Sequence, residues 1–106
     1  MTYQECIQAC LECVEQCNRC FDECLKEEDV RMMTECIRLD RECVDICMLT
    51  IQALQTNSQF VREICGLCAE ICQACGDECA KHVSQHCQVC AKACHRCANV
   101  CHEMAA

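Results

Sequence analysis

The chain has 106 residues and a formal net charge of −8; 19 residues are cysteine, three are aromatic and none is proline. We expect residues 1–106 to form a single domain. The acidic charge leaves no basic patch for nucleic acid, and no apolar run reaches the roughly 18 residues of a membrane-spanning helix.

Four helical segments follow one another along the chain, separated by short polar breaks. We predict helices over about residues 2–26, 30–55, 59–81 and 85–103. Each would be about 30–37 Å long at a rise of 1.5 Å per residue. Similar lengths and short connections favour an all-α fold, an antiparallel up-down-up-down four-helix bundle with a cysteine-lined core.

Polar residues at the breaks are candidate helix caps, because a side-chain oxygen there accepts hydrogen bonds from the free N–H groups of the first turn. Thr2 and Glu5 have the spacing of a capping box for the first helix. We predict that Asp29, Ser58 and Ser84 cap the second, third and fourth helices.

The cysteines recur at alternating steps of four and three residues. A period of 3.5 residues places all the thiols of a segment on one helix face, at the a and d positions that coiled coils give to Leu and Ile. The flanking e and g positions carry aliphatic and small residues, which we expect to seal helix against helix while the thiols line a shared lumen. The cysteines of the first, third and fourth helices are Cys6, Cys10, Cys13, Cys17, Cys20, Cys24, Cys65, Cys68, Cys72, Cys75, Cys79, Cys87, Cys90, Cys94, Cys97 and Cys101.

The redox state of these cysteines decides their chemistry. The first residues of the chain show neither the basic nor the apolar region of a secretion signal, so we expect a cytosolic protein with reduced thiols. Residues at i and i+4 on one helix have Cβ atoms about 5–6 Å apart, which is poor geometry for a disulfide. Cysteine also serves as a small core hydrophobe. Sixteen in three unbroken registers would nevertheless fill a core worse than aliphatic side chains do, so we interpret them as metal ligands.

The second helix departs from this pattern. Its a and d positions read Met33, Cys36, Asp40, Cys43, Cys47, Thr50 and Leu54. In an antiparallel bundle the two ends therefore differ. The end that we expect to be apolar and closed collects Tyr3, Thr50, Leu54, Val61 and Met104. The opposite end, termed the mouth, collects Cys24, Cys36, Cys79, Cys87, Met32, Met33, His82 and His86. Thiol, thioether and imidazole all bind soft or borderline metals, so we predict that metal passes through the mouth.

Polar side chains near the lumen have several interpretations. Asp40 would be a buried carboxylate, which is costly unless it is paired. It can hydrogen-bond to thiols, offset metal charge or bind metal itself, or it can form a salt bridge with Arg38 or Arg41. His95 and His102 fall on the outer face of the fourth helix, where we expect ordinary surface residues.

The spacing of the thiols favours Cu(I). The chain has eight CxxxC pairs, and two metal–sulfur bonds of about 2.3 Å placed end to end span about 4.6 Å, which an i, i+4 pair can meet. Bridging thiolates would limit the buried negative charge, so we expect multiple Cu(I) ions, approaching one per cysteine. The predicted ligands are all 19 cysteines together with His82, His86, Met33 and Asp40.

Two other functions stay open at this point. A zinc buffer would use four ligands in a tetrahedron, which neighbouring helices could also supply. A thiol-redox protein would use a CxxC motif, usually one exposed at a helix N-terminus. The six CxxC steps here lie inside the helices, so none is singled out.

The chain resembles the cytosolic branch of the bacterial copper storage proteins. The resemblance covers essentially the whole chain and rests on the three cysteine registers and on the segments 36–43 (CIRLDREC) and 63–72 (EICGLCAEIC). It implies a four-helix bundle that stores Cu(I) along its lumen, assembles into a tetramer and has no catalytic activity. It also implies a mouth lined by His82, His86, Met32 and Met33. Copper chaperones and copper-requiring proteins are the expected partners.

Overall fold

The computed structural model describes residues 2–106, which form four α-helices. These are α1 (Tyr3–Leu25), α2 (Thr34–Gln55), α3 (Val61–Ala80) and α4 (Gln85–Ala105), and a 3₁₀ turn, Val30–Met33, precedes α2. Residues 2–106 contain no β-strand. None of the described helices is both long and apolar enough to cross a membrane. The all-α prediction is confirmed.

The helices pack as an antiparallel bundle measuring 44 × 18 × 17 Å. Helix α1 packs against α2 and α4, and α3 packs against the same two helices. The direction follows from paired thiols: Cys13 contacts Cys43, whereas Cys20, further along α1, contacts Cys36, which lies earlier in α2. This is the predicted up-down-up-down arrangement.

The start of α1 is as predicted and the start of α2 is not. Thr2 Oγ1 accepts a hydrogen bond from the Glu5 N–H at 3.1 Å, and Glu5 Oε2 accepts one from the Thr2 N–H at 3.0 Å, which completes the capping box. Asp29 does not cap α2. The tighter 3₁₀ turn intervenes, the Asp29 side chain makes no capping bond, and α2 begins at Thr34.

The predicted caps of α3 and α4 also have different roles. Ser58 Oγ accepts a hydrogen bond from the Phe60 N–H at 3.1 Å, but α3 begins only at Val61, so the serine caps the turn that leads into the helix. Ser84 directly precedes α4, yet its side chain makes no capping bond. Its hydroxyl donates instead to Glu27 Oε2 at 3.0 Å, in the α1–α2 connection.

The core is built of sulfur and sealed by aliphatic residues, as predicted. Every cysteine is fully buried, with 0% relative exposure. Buried residues on the flanking stripes include Ile7, Ala9, Val44, Ile46, Ile51, Ala53, Ala69, Ala91, Ala93, Ala98 and Val100. Small residues let α3 and α4 approach closely: a Cβ at Gly76 would overlap the His95 ring, which lies across the glycine.

The residues predicted at the closed end are buried or half-buried, except for Tyr3. Thr50, Leu54 and Val61 are buried, and the Thr50 hydroxyl donates to the Ile46 carbonyl at 2.8 Å, so it leaves no unpaired polar group there. Tyr3 is 40% exposed, because it lies in the first turn of α1 beyond the last layer of thiols; its prediction as part of the seal is wrong.

Candidate metal centre

The 19 thiols form one column along the bundle axis. All are free and fully buried, and each of the four helices contributes. Neighbouring Sγ atoms lie from 3.3 Å apart, between Cys36 and Cys79, to 3.9 Å apart, as between Cys10 and Cys101. The e and g side chains exclude solvent from the column, so any ion bound there loses its water.

The sulfur atoms are arranged in overlapping groups of four, each drawn from two or more helices. Within a group all ligand atoms lie within 4.8 Å of one another. Three sulfurs bound to one ion at about 2.3 Å would lie about 4.0 Å apart, and two bound end to end about 4.6 Å apart. Small rotations of the side chains therefore suffice to bind an ion. The groups include Cys10/Cys47/Cys68/Cys97, Cys13/Cys47/Cys72/Cys97, Cys13/Cys17/Cys43/Cys94 and Cys17/Cys75/Cys90/Cys94.

Asp40 lies inside the column and is fully buried. Its Oδ1 accepts hydrogen bonds from the thiols of Cys75 at 3.3 Å and Cys90 at 3.4 Å, and its Oδ2 lies 3.9 Å from Cys36 Sγ. Burial raises the pKa of the Asp40 carboxyl to about 9, and the charges of Cys90 and Cys36 add to the rise. The group is therefore a neutral carboxylic acid at neutral pH.

The predicted alternative for Asp40, a salt bridge to arginine, is wrong. Arg38 pairs with Glu35 at 3.3 Å on the surface, and the Arg41 guanidinium lies 4.4 Å from the centre of the Phe21 ring. Both arginines lie on the solvent side of α2, whereas Asp40 points to the axis. Among the roles that the sequence left open, hydrogen bonding to thiols is the one that the geometry shows.

Burial also keeps two thiols at the mouth, those of Cys24 and Cys87, protonated. It raises the pKa of Cys87 to about 12 and raises that of Cys24, and the Cys36 charge acts in the same direction on both. A soft cation must therefore displace protons when it binds, and metal affinity will increase with pH.

Of the two histidines predicted at the mouth, His86 is the one in contact with thiols. Its ring nitrogen forms a ligand group with Cys20, Cys24 and Cys87, and its Nδ1 lies 3.5 Å from Cys87 Sγ. Its Nε2 lies 2.8 Å from Glu27 Oε2. A carboxylate that holds one ring nitrogen fixes the tautomer and leaves the other nitrogen free for a metal. Glu27 could not be predicted from sequence, because its contact with His86 joins residues far apart in the chain.

The remaining predicted residues at the mouth differ in position. His82 Nε2 lies 3.0 Å from Glu78 Oε2, and in residues 2–106 no hydrogen bond joins this ring to a thiol. Met33 is buried in the core cluster, whereas Met32 is 68% exposed. His95 contacts Asp77 at 2.9 Å on the outside of the bundle, and His102 is exposed, as expected for both.

Comparisons with known proteins identify the relatives of this arrangement. The family model described as "Copper storage protein" matches residues 1–106. The Cu(I)-bound copper storage protein BsCsp3 is 57% identical over 99% of this chain and 100% of that chain, with a TM-score of 0.94. The apo copper storage protein 3 from Bacillus subtilis is 56% identical over 97% and 98%, with a TM-score of 0.93.

A more distant relative has the same fold. A cytosolic copper storage protein from Streptomyces lividans, carrying five coppers, is 40% identical over 97% of this chain and 91% of that chain, with a TM-score of 0.94. A search among curated proteins finds no match. The family model covers the full length, and relatives well above 30% identity share the fold. The chain belongs to the copper storage protein family.

Proposed function

We propose that this protein stores Cu(I) by binding it to thiolates along the bundle axis, which keeps the ion away from the cytosol and holds a supply of it. The observation that carries the proposal is the continuous column of 19 free, fully buried thiols. Their spacing suits two- and three-coordinate thiolate sites, which Cu(I) accepts. The relatives support it: BsCsp3 is Cu(I)-bound, and the Streptomyces lividans protein has been loaded with 10 copper equivalents.

Charge favours Cu(I) over zinc in this column. Each thiol that exchanges a proton for Cu(I) leaves the local charge unchanged, whereas a Zn(II) ion with four thiolates carries a net charge of −2. Several such anions in one solvent-free lumen would repel one another strongly. The groups of four thiols are nevertheless wide enough for a tetrahedral ion, so zinc is the competitor to test.

The burial of the thiols also argues against redox catalysis. A redox CxxC motif needs an accessible sulfur of lowered pKa, and here every cysteine has 0% relative exposure. We infer a binding protein without catalytic activity. Its ligands in this proposal are the 19 cysteines with His86 and Met33. Asp40, a neutral acid in the metal-free protein, joins them by losing its proton when copper binds, and His82 assists transfer at the mouth.

The relatives also bear on the cellular location and the assembly of the protein. We place it in the cytosol, where the relative from Streptomyces lividans is described, and where thiols stay reduced. We propose a homotetramer, as the family resemblance implies, with exposed apolar residues such as Leu11, Met48 and Leu67 available for contacts between copies. Copper chaperones and copper-requiring proteins are its proposed exchange partners.

An anaerobic titration of the reduced apoprotein with Cu(I) tests this function. Copper should bind until the ratio approaches one per cysteine, and the reactivity of essentially all thiols toward a chromogenic disulfide should disappear. Zinc added first should be displaced by Cu(I). Saturation after one or two ions, or retention of bound zinc, would contradict the proposal.

A further inference from the structure

Some thiols in the column form closed triangles, in which each pair of Sγ atoms lies between 3.5 and 3.9 Å apart. Each triangle combines a CxxxC pair on one helix with one thiol of a neighbouring helix. The four triangles are Cys10/Cys97/Cys101 (3.7, 3.9 and 3.9 Å), Cys13/Cys17/Cys94 (3.9, 3.8 and 3.5 Å), Cys17/Cys90/Cys94 (3.7, 3.8 and 3.5 Å) and Cys47/Cys68/Cys72 (3.9, 3.7 and 3.8 Å).

We propose that these triangles bind trivalent arsenic, so that the column takes a second class of cargo besides Cu(I). As(III) keeps a lone pair and forms three bonds in a pyramid, with three sulfurs at its base. A planar three-coordinate ion with bonds of about 2.3 Å sets its sulfurs about 4.0 Å apart, and a pyramid with similar bonds sets them closer. Sides of 3.5 Å between Cys17 and Cys94, and of 3.7 Å between Cys10 and Cys97, lie on the pyramidal side of that value.

The binding reaction suits a solvent-free lumen. One As(OH)₃ condenses with three R–SH groups to give As(SR)₃ and three water molecules: three As–O bonds break, three As–S bonds form, and each thiol proton leaves in a water molecule. Arsenic stays trivalent, and no oxidant or reductant is needed. The product is neutral, so no charge is buried without a partner.

The uncharged state of the reactant also suits this acidic chain. The condensation of arsenous acid with three thiols releases water and no protons. Arsenous acid is itself uncharged at neutral pH, so the net charge of −8 does not repel it. Cu(I) loading, by contrast, must expel a proton from each thiol that becomes a thiolate.

The overlap of the triangles fixes the number of arsenic atoms. The triangles at Cys10 and at Cys47 share no thiol with any other, whereas the remaining two share Cys17 and Cys94 and cannot be filled together. Three arsenic atoms per chain are therefore expected in these triangles. The proposal rests on the thiol positions and does not depend on copper storage.

Sodium arsenite added anaerobically to the reduced apoprotein at pH 7 is the probe, with arsenic counted by native mass spectrometry and proton release followed in weak buffer. The wild type should bind three atoms per chain and release no protons. Cys17→Ser and Cys94→Ser should each bind two, because both overlapping triangles lose a corner. Cys13→Ser and Cys90→Ser should each still bind three, because one of the two triangles survives.

These four variants are matched, since all remove one fully buried thiol, and circular dichroism confirms that each compared variant is folded. Equal losses in all four, fewer than three atoms in the wild type, or release of a proton per thiol would overturn the proposal. Copper capacity is measured on the same samples. A protein that takes Cu(I) but no arsenic refutes this proposal alone, whereas one that takes arsenic but no copper refutes the storage function alone.

Discussion

The buried carboxyl of Asp40 gives the metal-free protein a pH dependence that one substitution should remove. In the folded chain the pKa of this group is raised to about 9, mainly by burial, from an ordinary value of 3.8. Below pH 3.8 the group is protonated in both the folded and the unfolded chain. Above it the unfolded chain releases the proton and the folded chain keeps it, so the free energy of unfolding falls as pH rises, until the folded group also ionises near pH 9.

The slope inside this window is about 1.4 kcal/mol for each pH unit, the value for one proton. Asp40→Asn keeps the shape and an accepting oxygen for the thiols of Cys75 and Cys90, but cannot ionise. Between pH 5 and pH 8, the stability of the wild type relative to the variant should therefore fall by up to about 4 kcal/mol.

Urea unfolding of the reduced apoproteins, followed by circular dichroism at pH 5, 6, 7 and 8, measures this difference. Asp45→Asn is the control, because Asp45 lies on the same helix but is exposed to solvent, and its curve should parallel that of the wild type. If Asp40→Asn also parallels the wild type, the carboxyl ionises in the folded chain at its ordinary pKa, and the description of a neutral acid among thiols is refuted.

Three further predictions concern the mouth and the packing. His86→Ala should slow Cu(I) loading in stopped-flow absorbance while lowering the copper capacity by at most one ion per chain, and a halved capacity would refute the role of the mouth. Glu27→Ala should also slow loading, whereas Glu27→Gln, which keeps an acceptor for the His86 Nε2–H, should not. Gly76→Ala should destabilise the apoprotein by about 1–3 kcal/mol through overlap with the ring of His95. In a His95→Ala background the same substitution should instead stabilise the apoprotein by about 0.5–1 kcal/mol, and equal effects in both backgrounds would contradict the close packing. Thr2→Ala should cost about 1 kcal/mol in urea unfolding through loss of the capping box, and an unchanged midpoint would contradict that cap.

The periodicity of the cysteines was enough to predict the helices and the buried thiol column. The similar helix lengths and the short connections predicted the antiparallel order. A repeat of four and three residues allows only one helix face, and residues such as Ile7 and Val44 beside the thiols mark the surfaces where helices meet. The capping box at Thr2 was also predictable, because the groups that form it lie within one helical turn.

The features that the sequence did not predict depend on contacts between distant segments. Ser84 has the right residue type and position for a cap, but Glu27 lies within reach of its hydroxyl and takes the hydrogen bond. Helix α2 begins at Thr34, later than predicted, because the chain first makes a tighter turn that buries Met33. The sequence left three kinds of partner for Asp40: thiols, a metal ion or an arginine. Only the packing of α3 and α4 around Asp40 shows that its partners are thiols.

Anomalous X-ray diffraction from crystals of the copper-loaded protein would locate the bound ions. We expect a row of copper peaks inside the bundle along its 44 Å length, each about 2.3 Å from two or three cysteine sulfurs, with one near His86 at the mouth. Copper confined to surface residues such as His95 and His102, with the internal thiols unbound, would contradict this expectation.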